Sequence, residues 1–148
     1  MLPAPRDPLP PEAVQPDPPP LAELLTGLLR AAGAQAGRAV DGGSGEVLAE
    51  VGLSDGDDVA ALVALARDAA AAGTAHGEWL EDLVLTLGRT VHVLRTCGGA
   101  VLHMRLDPAR GDVAAVRSGL AAPGLQRAAQ DAAQDAAQDA AQDAAQDA

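Results

Sequence analysis

Lysine, phenylalanine, tyrosine, isoleucine and asparagine are absent from this 148-residue chain, and tryptophan and cysteine occur once each. Without lysine, positive charge rests on ten scattered arginines against 21 acidic residues, a formal net charge of -11. Neutralising nucleic-acid phosphates takes a cluster of cations, so the charge balance argues against a nucleic-acid binder, and an anionic membrane surface is disfavoured on the same ground. The lone Cys97 excludes an internal disulfide and cannot by itself supply the roughly four ligands of a structural zinc site. A reducing, cytoplasmic setting is expected. No basic stretch followed by an apolar run of signal length is present, and no segment reaches the roughly 18–20 apolar residues that span a bilayer, so neither export nor membrane insertion is expected. The missing residue types together fit GC-rich coding and hence a bacterial gene.

What is present divides into three parts. Nine of the eleven prolines fall in residues 1–20, where they remove backbone donors and restrict their neighbours, so this head reads as an extended leader. Its PxxP spacings, Pro8 to Pro11 and Pro16 to Pro19, are those of a proline-recognition ligand, although proline density alone produces them and a solvated leader is the favoured reading. Residues 123–148 hold five copies of Ala-Ala-Gln-Asp over 128–147. A four-residue period advances about 400° on a helix, so each row of equivalent residues drifts about 40° per repeat and builds no continuous stripe. Asp at i and i+4 repels, with no cation inside the repeats, and the tail is expected to be a fraying helix or disordered. The foldable domain is 21–122, with eight arginines against 13 acidic residues.

Within it, Leu21, Leu24, Leu25, Leu28 and Leu29 share one helical face, after Pro20 and before Gly33. GRAV at 37–40 and EVLAEV at 46–51 read as strands around Asp41-Gly42-Gly43-Ser44-Gly45. Ser54–Ala72 reads as a second helix capped by Ser54 or Asp55, with Val59, Leu62, Val63, Ala66, Ala69 and Ala70 inward. LVLTL at 83–87, VHVLR at 91–95 and AVLHMRL at 100–106 form three consecutive antiparallel strands, and Asp112–Ala122 a closing helix stopped by Pro123-Gly124. Strands apolar on both sides imply helices on both faces of one five-stranded sheet, an α/β sandwich in the order α-β-β-α-β-β-β-α.

The chemistry-bearing residues are few. The Gly42–Gly45 loop lacks the lysine of a phosphate-binding loop, and Asp55-Gly56-Asp57-Asp58 lacks the ligand alternation of a calcium loop. If Gly98-Gly99 is a two-residue turn, Leu94 faces His103 and His92 faces Arg105. The two imidazoles then share a sheet face with no acidic residue in either strand to orient them, and read as partly buried sheet histidines. His76 reads as solvated. No catalytic residue, metal or cofactor is expected.

The opening helix LAELLTGLLRAAG, the hairpin GRAVDGGSGEVLAEVG, the helix DDVAALVALARDAAAAG and the closing LHMRLDPARGDVAAVRSGL resemble, in order and spacing, the roadblock and dynein light chain family. Asp41, Gly42, Ala49 and Gly52 fill that family's hairpin-tip and strand-end places. The proline leader, the repeat tail and the lack of core aromatics depart from it. The resemblance implies a profilin-like sandwich: a five-stranded mostly antiparallel sheet with one helix on one face and two on the other. As an outer strand, 83–87 would expose unpaired backbone with no Lys, Pro or inward charge to protect it. The resemblance implies that two copies join there edge to edge, second helices side by side, with Val59, Leu62, Val63, Ala66, Leu83, Val84, Leu85, Thr86 and Leu87 at the interface of a homodimer. It further implies a non-enzymatic regulator that docks on the switch region of a small Ras-like GTPase. The alternative is a scaffold subunit that assembles with other roadblock-like chains and alters no GTP turnover.

Overall fold

The computed structural model describes residues 2–5, 19–52 and 58–147. Most of the proline head, the Ser54 and Asp55 capping candidates and Asp57 lie outside them. The elements are α1 (Leu21–Ala32), β1 (Ala36–Asp41), β2 (Val47–Gly52), α2 (Val59–Ala75), β3 (Leu83–Leu87), β4 (Thr90–Cys97), β5 (Ala100–Leu106), α3 (Val113–Leu120) and α4 (Pro123–Gln146).

The five strands form one sheet in the order β2-β1-β5-β4-β3, every pairing antiparallel. β5, the central strand, is buried along its whole length. Ala100, Leu102, Met104 and Leu106 pack in one cluster with Leu25 of α1, Val116 and Leu120 of α3 and Leu125 of α4. Val101, on the other face, packs with Val40, Leu94 and the Leu62, Val63 and Ala66 row of α2. The layering follows from strand alternation, which sends neighbouring residues to opposite faces. The sandwich expected from the sequence is present with one correction: α2 lies alone on one face, but three helices rather than two, α1, α3 and α4, cover the other, because the tail forms a helix that packs on the sheet.

Apart from shifts of one or two residues at the ends of β1, β2, β4 and α3, three boundaries differ from the sequence reading. α2 begins at Val59, where Asp58 accepts a hydrogen bond from the Ala61 N–H at 3.0 Å. It also runs through Gly73 to Ala75, because its alanines are strong helix formers and one glycine costs only about 1 kcal/mol. Pro123 does not simply stop α3. It occupies the first turn of the 24-residue α4, where a missing N–H costs nothing.

The first half of the repeat is part of the core, with Leu125, Ala129 and Ala133 buried. Ala137, next in the same row, is exposed, as is everything from 137 to 147. The roughly 40° drift per repeat explains both halves, since two repeats keep an alanine against the body and the third turns it away.

The start of the domain is fixed at two glycines. Gly33 ends α1 at φ 69° with its N–H on the Leu29 carbonyl. Gly52 ends β2 at φ 81°, and a Cβ there would collide with the Gln35 carbonyl oxygen. Gly52→Ala is therefore expected to destabilise the fold by about 2–4 kcal/mol, combining a left-handed backbone with a clash against main chain. Urea denaturation of the variant measures it; a change below about 0.5 kcal/mol would show that the β2 end relaxes freely.

Candidate interaction surface

The possible chemistry divides between the two sheet faces. The Gly98-Gly99 turn is two residues long, and the register sets Leu94 opposite His103 and His92 opposite Arg105, as the sequence implies. Both rings are deeply buried rather than partly so. They lie almost parallel, 5.2 Å between centroids and 9° between planes, with His92 Nδ1 2.9 Å from His103 Nε2. One group that orients them comes from β1: Arg38 places Nη1 3.2 Å from His103 Nδ1, and its Nε lies 3.4 Å from a Glu50 carboxylate oxygen on β2. The sequence reading missed Arg38 and Glu50 because the pairing of β1 with β5, far away in sequence, puts Arg38 opposite His103. The only available signal was alternation: an arginine two places before the inward Val40 shares its face.

Cys97 lies on the opposite face and cannot act with these rings. Burial pushes its thiol up to about 11, only partly offset by the charge of Arg95, so it is protonated at neutral pH and is a weak nucleophile. Four donors of the Asp41–Gly45 loop are used within the fold. Gly43 N–H and the Ser44 hydroxyl donate to the Asp41 carboxylate at 3.0 and 3.1 Å, while Gly42 N–H donates to the Gly99 carbonyl and Gly45 N–H to that of Asp41. These four are therefore not turned toward a phosphate. His76 is exposed at the C-cap of α2. Among the described residues no group of three His, Cys, Asp or Glu is placed to hold a metal ion, and no helix is long and apolar enough to cross a membrane.

The other candidate is a surface. β3 is an edge of the sheet, paired only with β4. Its outer side chains include Val84, 41% exposed, and Leu87, 55% exposed, with Thr86 exposed between them. Trp79, the single aromatic residue, precedes the strand and is 89% exposed. Asp82 anchors the strand's start: Arg117 of α3 grips its carboxylate with two N–H groups at 2.8 and 3.3 Å. That hydrogen bond and the charge of Asp82 raise the Arg117 pKa above its already high ordinary value. α2 carries only Arg67 and Asp68 as charges along its 17 residues, and its outward side is alanine with Leu65 exposed. A helix apolar on both sides normally has both sides covered.

No family model and no curated protein matches the chain at the level of sequence. Solved structures do match. MglB in a tetrameric arrangement superposes with a TM-score of 0.62 at 24% identity, over 76% of this chain and 89% of that one. The gliding protein MglB of Thermus thermophilus gives 0.60 at 22% identity, over 78% and 89%. A Roadblock/LC7 domain from Streptomyces avermitilis gives 0.59 at 23% identity, over 74% and 93%. The fold is that of a roadblock domain.

Within this roadblock fold the nine interface candidates of the sequence reading fall into two groups. Leu62, Val63 and Ala66 are buried against the chain's own sheet, and Val59, Leu83 and Leu85 pack partly on the same cluster. Val84, Thr86 and Leu87 face outward. The outward face of α2 is instead the Ala61, Ala64, Leu65 and Asp68 side. Leu65, Ala61 and Trp79 were not singled out from the sequence. Spacing on a helix shows which residues share a side, but not which side meets the sheet.

Proposed function

We propose that this chain is a non-enzymatic regulator that binds a small Ras-like GTPase, and that it does so as a homodimer joined along β3 and α2. The observation that carries the reading is the unprotected β3 edge beside an α2 whose outer face is apolar, on a roadblock fold. Edge strands without lysine, proline or inward charge are normally paired. A two-fold pairing of β3 with its copy would continue the sheet across the dimer and set the two α2 helices side by side.

The described chemistry supports a non-catalytic role. The histidines are closed to solvent and the thiol is protonated, so neither is placed to touch a reacting group. In this reading the dimer docks on the switch region of the GTPase and biases its conformation, while the phosphoryl chemistry stays with the partner. The acidic charge contributes mainly to the encounter rate with a basic patch.

The second reading, a scaffold subunit without effect on GTP turnover, is favoured by one feature: β2 is a second open edge, on which Val47 is 47% exposed.

GTP hydrolysis and nucleotide release by a small Ras-like GTPase of the same genome, measured with and without this protein, separate the two. A regulator changes at least one rate tenfold or more, and hydrolyses nothing alone. Binding with unchanged rates supports the scaffold. His92→Gln, His103→Gln and Cys97→Ser are each expected to leave the effect within a few fold in folded variants. A true general base typically contributes about 10² to 10⁴ in rate, so a hundredfold loss in a folded variant would overturn the non-enzymatic reading.

A further inference from the structure

Gly88 and Arg89 form a two-residue turn between β3 and β4, with Leu87 opposite Thr90, Leu85 opposite His92 and Leu83 opposite Leu94. Gly88 has φ 63° and Arg89 a negative φ, the II′ geometry that suits a tight hairpin. The residues flanking such a turn exchange backbone hydrogen bonds, and along an antiparallel pair bonded and non-bonded residues alternate. Leu87, Leu85 and Leu83 therefore direct their N–H and C=O groups to β4. Val84 and Thr86 direct theirs to the outer side of the strand.

This alternation selects one register for two copies. A two-fold axis at Leu85 sets Val84 opposite the partner's Thr86 and Thr86 opposite the partner's Val84, so the outward backbone groups of both residues pair. An axis at Val84 would set Thr86 against the partner's Asp82, and an axis at Thr86 would set Val84 against the partner's Gly88, both outside β3. With the axis at Leu85, Leu83 meets the partner's Leu87. The partner's Gly88–Arg89 turn then lies just past the start of β3.

Trp79 belongs to the segment that leads into that end of the strand. The Glu78 N–H donates to the Gly73 carbonyl at 2.9 Å and Asp82 is gripped by Arg117, so the residues between are tethered on both sides. Trp79 is 89% exposed, and Glu78 and Glu81 beside it are exposed too. The segment thus offers an indole face flanked by carboxylates, a surface suited to a cation. Arg89 is exposed at its turn, and a guanidinium within about 6 Å of an indole is attracted to the electron-rich ring face.

We propose that Trp79 receives the guanidinium of the partner's Arg89, a contact made twice by the two-fold axis, once at each end of the β3 seam. The proposal rests on the homodimer reading above and adds what makes the partner a second copy of this chain. Backbone pairing along Val84 and Thr86 accepts any strand. An aromatic, acidic segment at one end and an arginine turn at the other select a chain that carries both.

The test uses the full chain, whose one tryptophan makes its fluorescence a report on this site alone. Dilution through the dissociation range found by sedimentation should shift Trp79 emission to the red with the same midpoint, as the indole returns to water. Trp79→Ala and Arg89→Ala should each raise the dimer dissociation constant about five- to fiftyfold, since two contacts are lost. The double variant should be no weaker than the weaker single one. Both side chains are exposed, so circular dichroism should show an unchanged monomer fold. Mixing the two single variants tests whether the contact runs between chains: the mixed dimer regains one Trp79–Arg89 contact and should exceed its statistical share in native mass spectrometry, whereas a contact within one chain gives no excess.

Three results would each overturn the proposal while leaving a homodimer that Val84→Arg disrupts: Trp79 emission that does not follow dilution, dissociation constants within about twofold of wild type in both single variants, or mixed dimers at the statistical share. A chain that stays monomeric at every concentration would overturn both the contact and the homodimer.

Discussion

Deleting residues 123–148 is expected to lower the stability of the domain by about 4–6 kcal/mol, a large part of the roughly 5–15 kcal/mol typical of a folded chain. The deletion removes Leu125, Ala129 and Ala133, all buried against the rest of the fold. Loss of a buried leucine side chain alone costs about 2–5 kcal/mol, and the two alanines together with the apolar surface they leave uncovered supply the rest. The melting temperature should drop by roughly 10–20 °C. Deleting only residues 138–148 is expected to change stability by less than about 0.5 kcal/mol, because every described residue there is exposed. Calorimetry on the two truncations checks both statements. Equal melting temperatures for the long and short deletions would show that the repeat does not hold the core. The proline head contributes no group to either cluster among the described residues, so deleting 1–18 is the control.

Val84→Arg is expected to convert the proposed homodimer to monomers, weakening association by about a hundredfold or more. A two-fold seam brings each substituted residue close to its own copy, so one change per chain introduces like charges across the axis. Val84 is exposed on the edge strand, so the charge need not disturb the monomer fold. Leu85→Arg, the obvious choice from the sequence, is a poorer test because Leu85 packs under α2 with Val63 and Leu94. A charge there would damage core and seam together. Sedimentation equilibrium gives the mass, and far-ultraviolet circular dichroism confirms the fold. An undisturbed Val84→Arg dimer would move the seam away from β3, with the β2 edge at Val47 the remaining open strand.

The sequence by itself determined a good deal. Helix α1 begins after Pro20 and ends at Gly33, because five leucines at i, i+3, i+4, i+7 and i+8 share a face between two residues that do not continue a helix. β3 and β5 have the bounds that their apolar runs and glycine turns imply, and the Gly98-Gly99 turn sets His92 opposite Arg105. These features are local: propensity, period and turn length act within about ten residues, and such signals are written in order along the chain. The 40° drift of the repeat is local too, and it accounts for where α4 leaves the body.

The tertiary structure decided what depends on partners distant in sequence. The pairing of β1 with β5 brought Arg38 to His103 across 65 positions, and the pairing of β1 with β2 brought Glu50 to Arg38. A polar network thus stands where each strand alone showed an isolated charge. The same holds for α4: an Ala-Ala-Gln-Asp repeat has no strong stripe of its own, and Ala129 and Ala133 are buried because α1 and the sheet leave a surface that small side chains can approach. α2 is the third case. Alanine and leucine surround it, so only the sheet beneath could determine that Leu62, Val63 and Ala66 face inward and Leu65 outward. In each case burial is a property of two surfaces meeting, and the sequence of one segment specifies only its own.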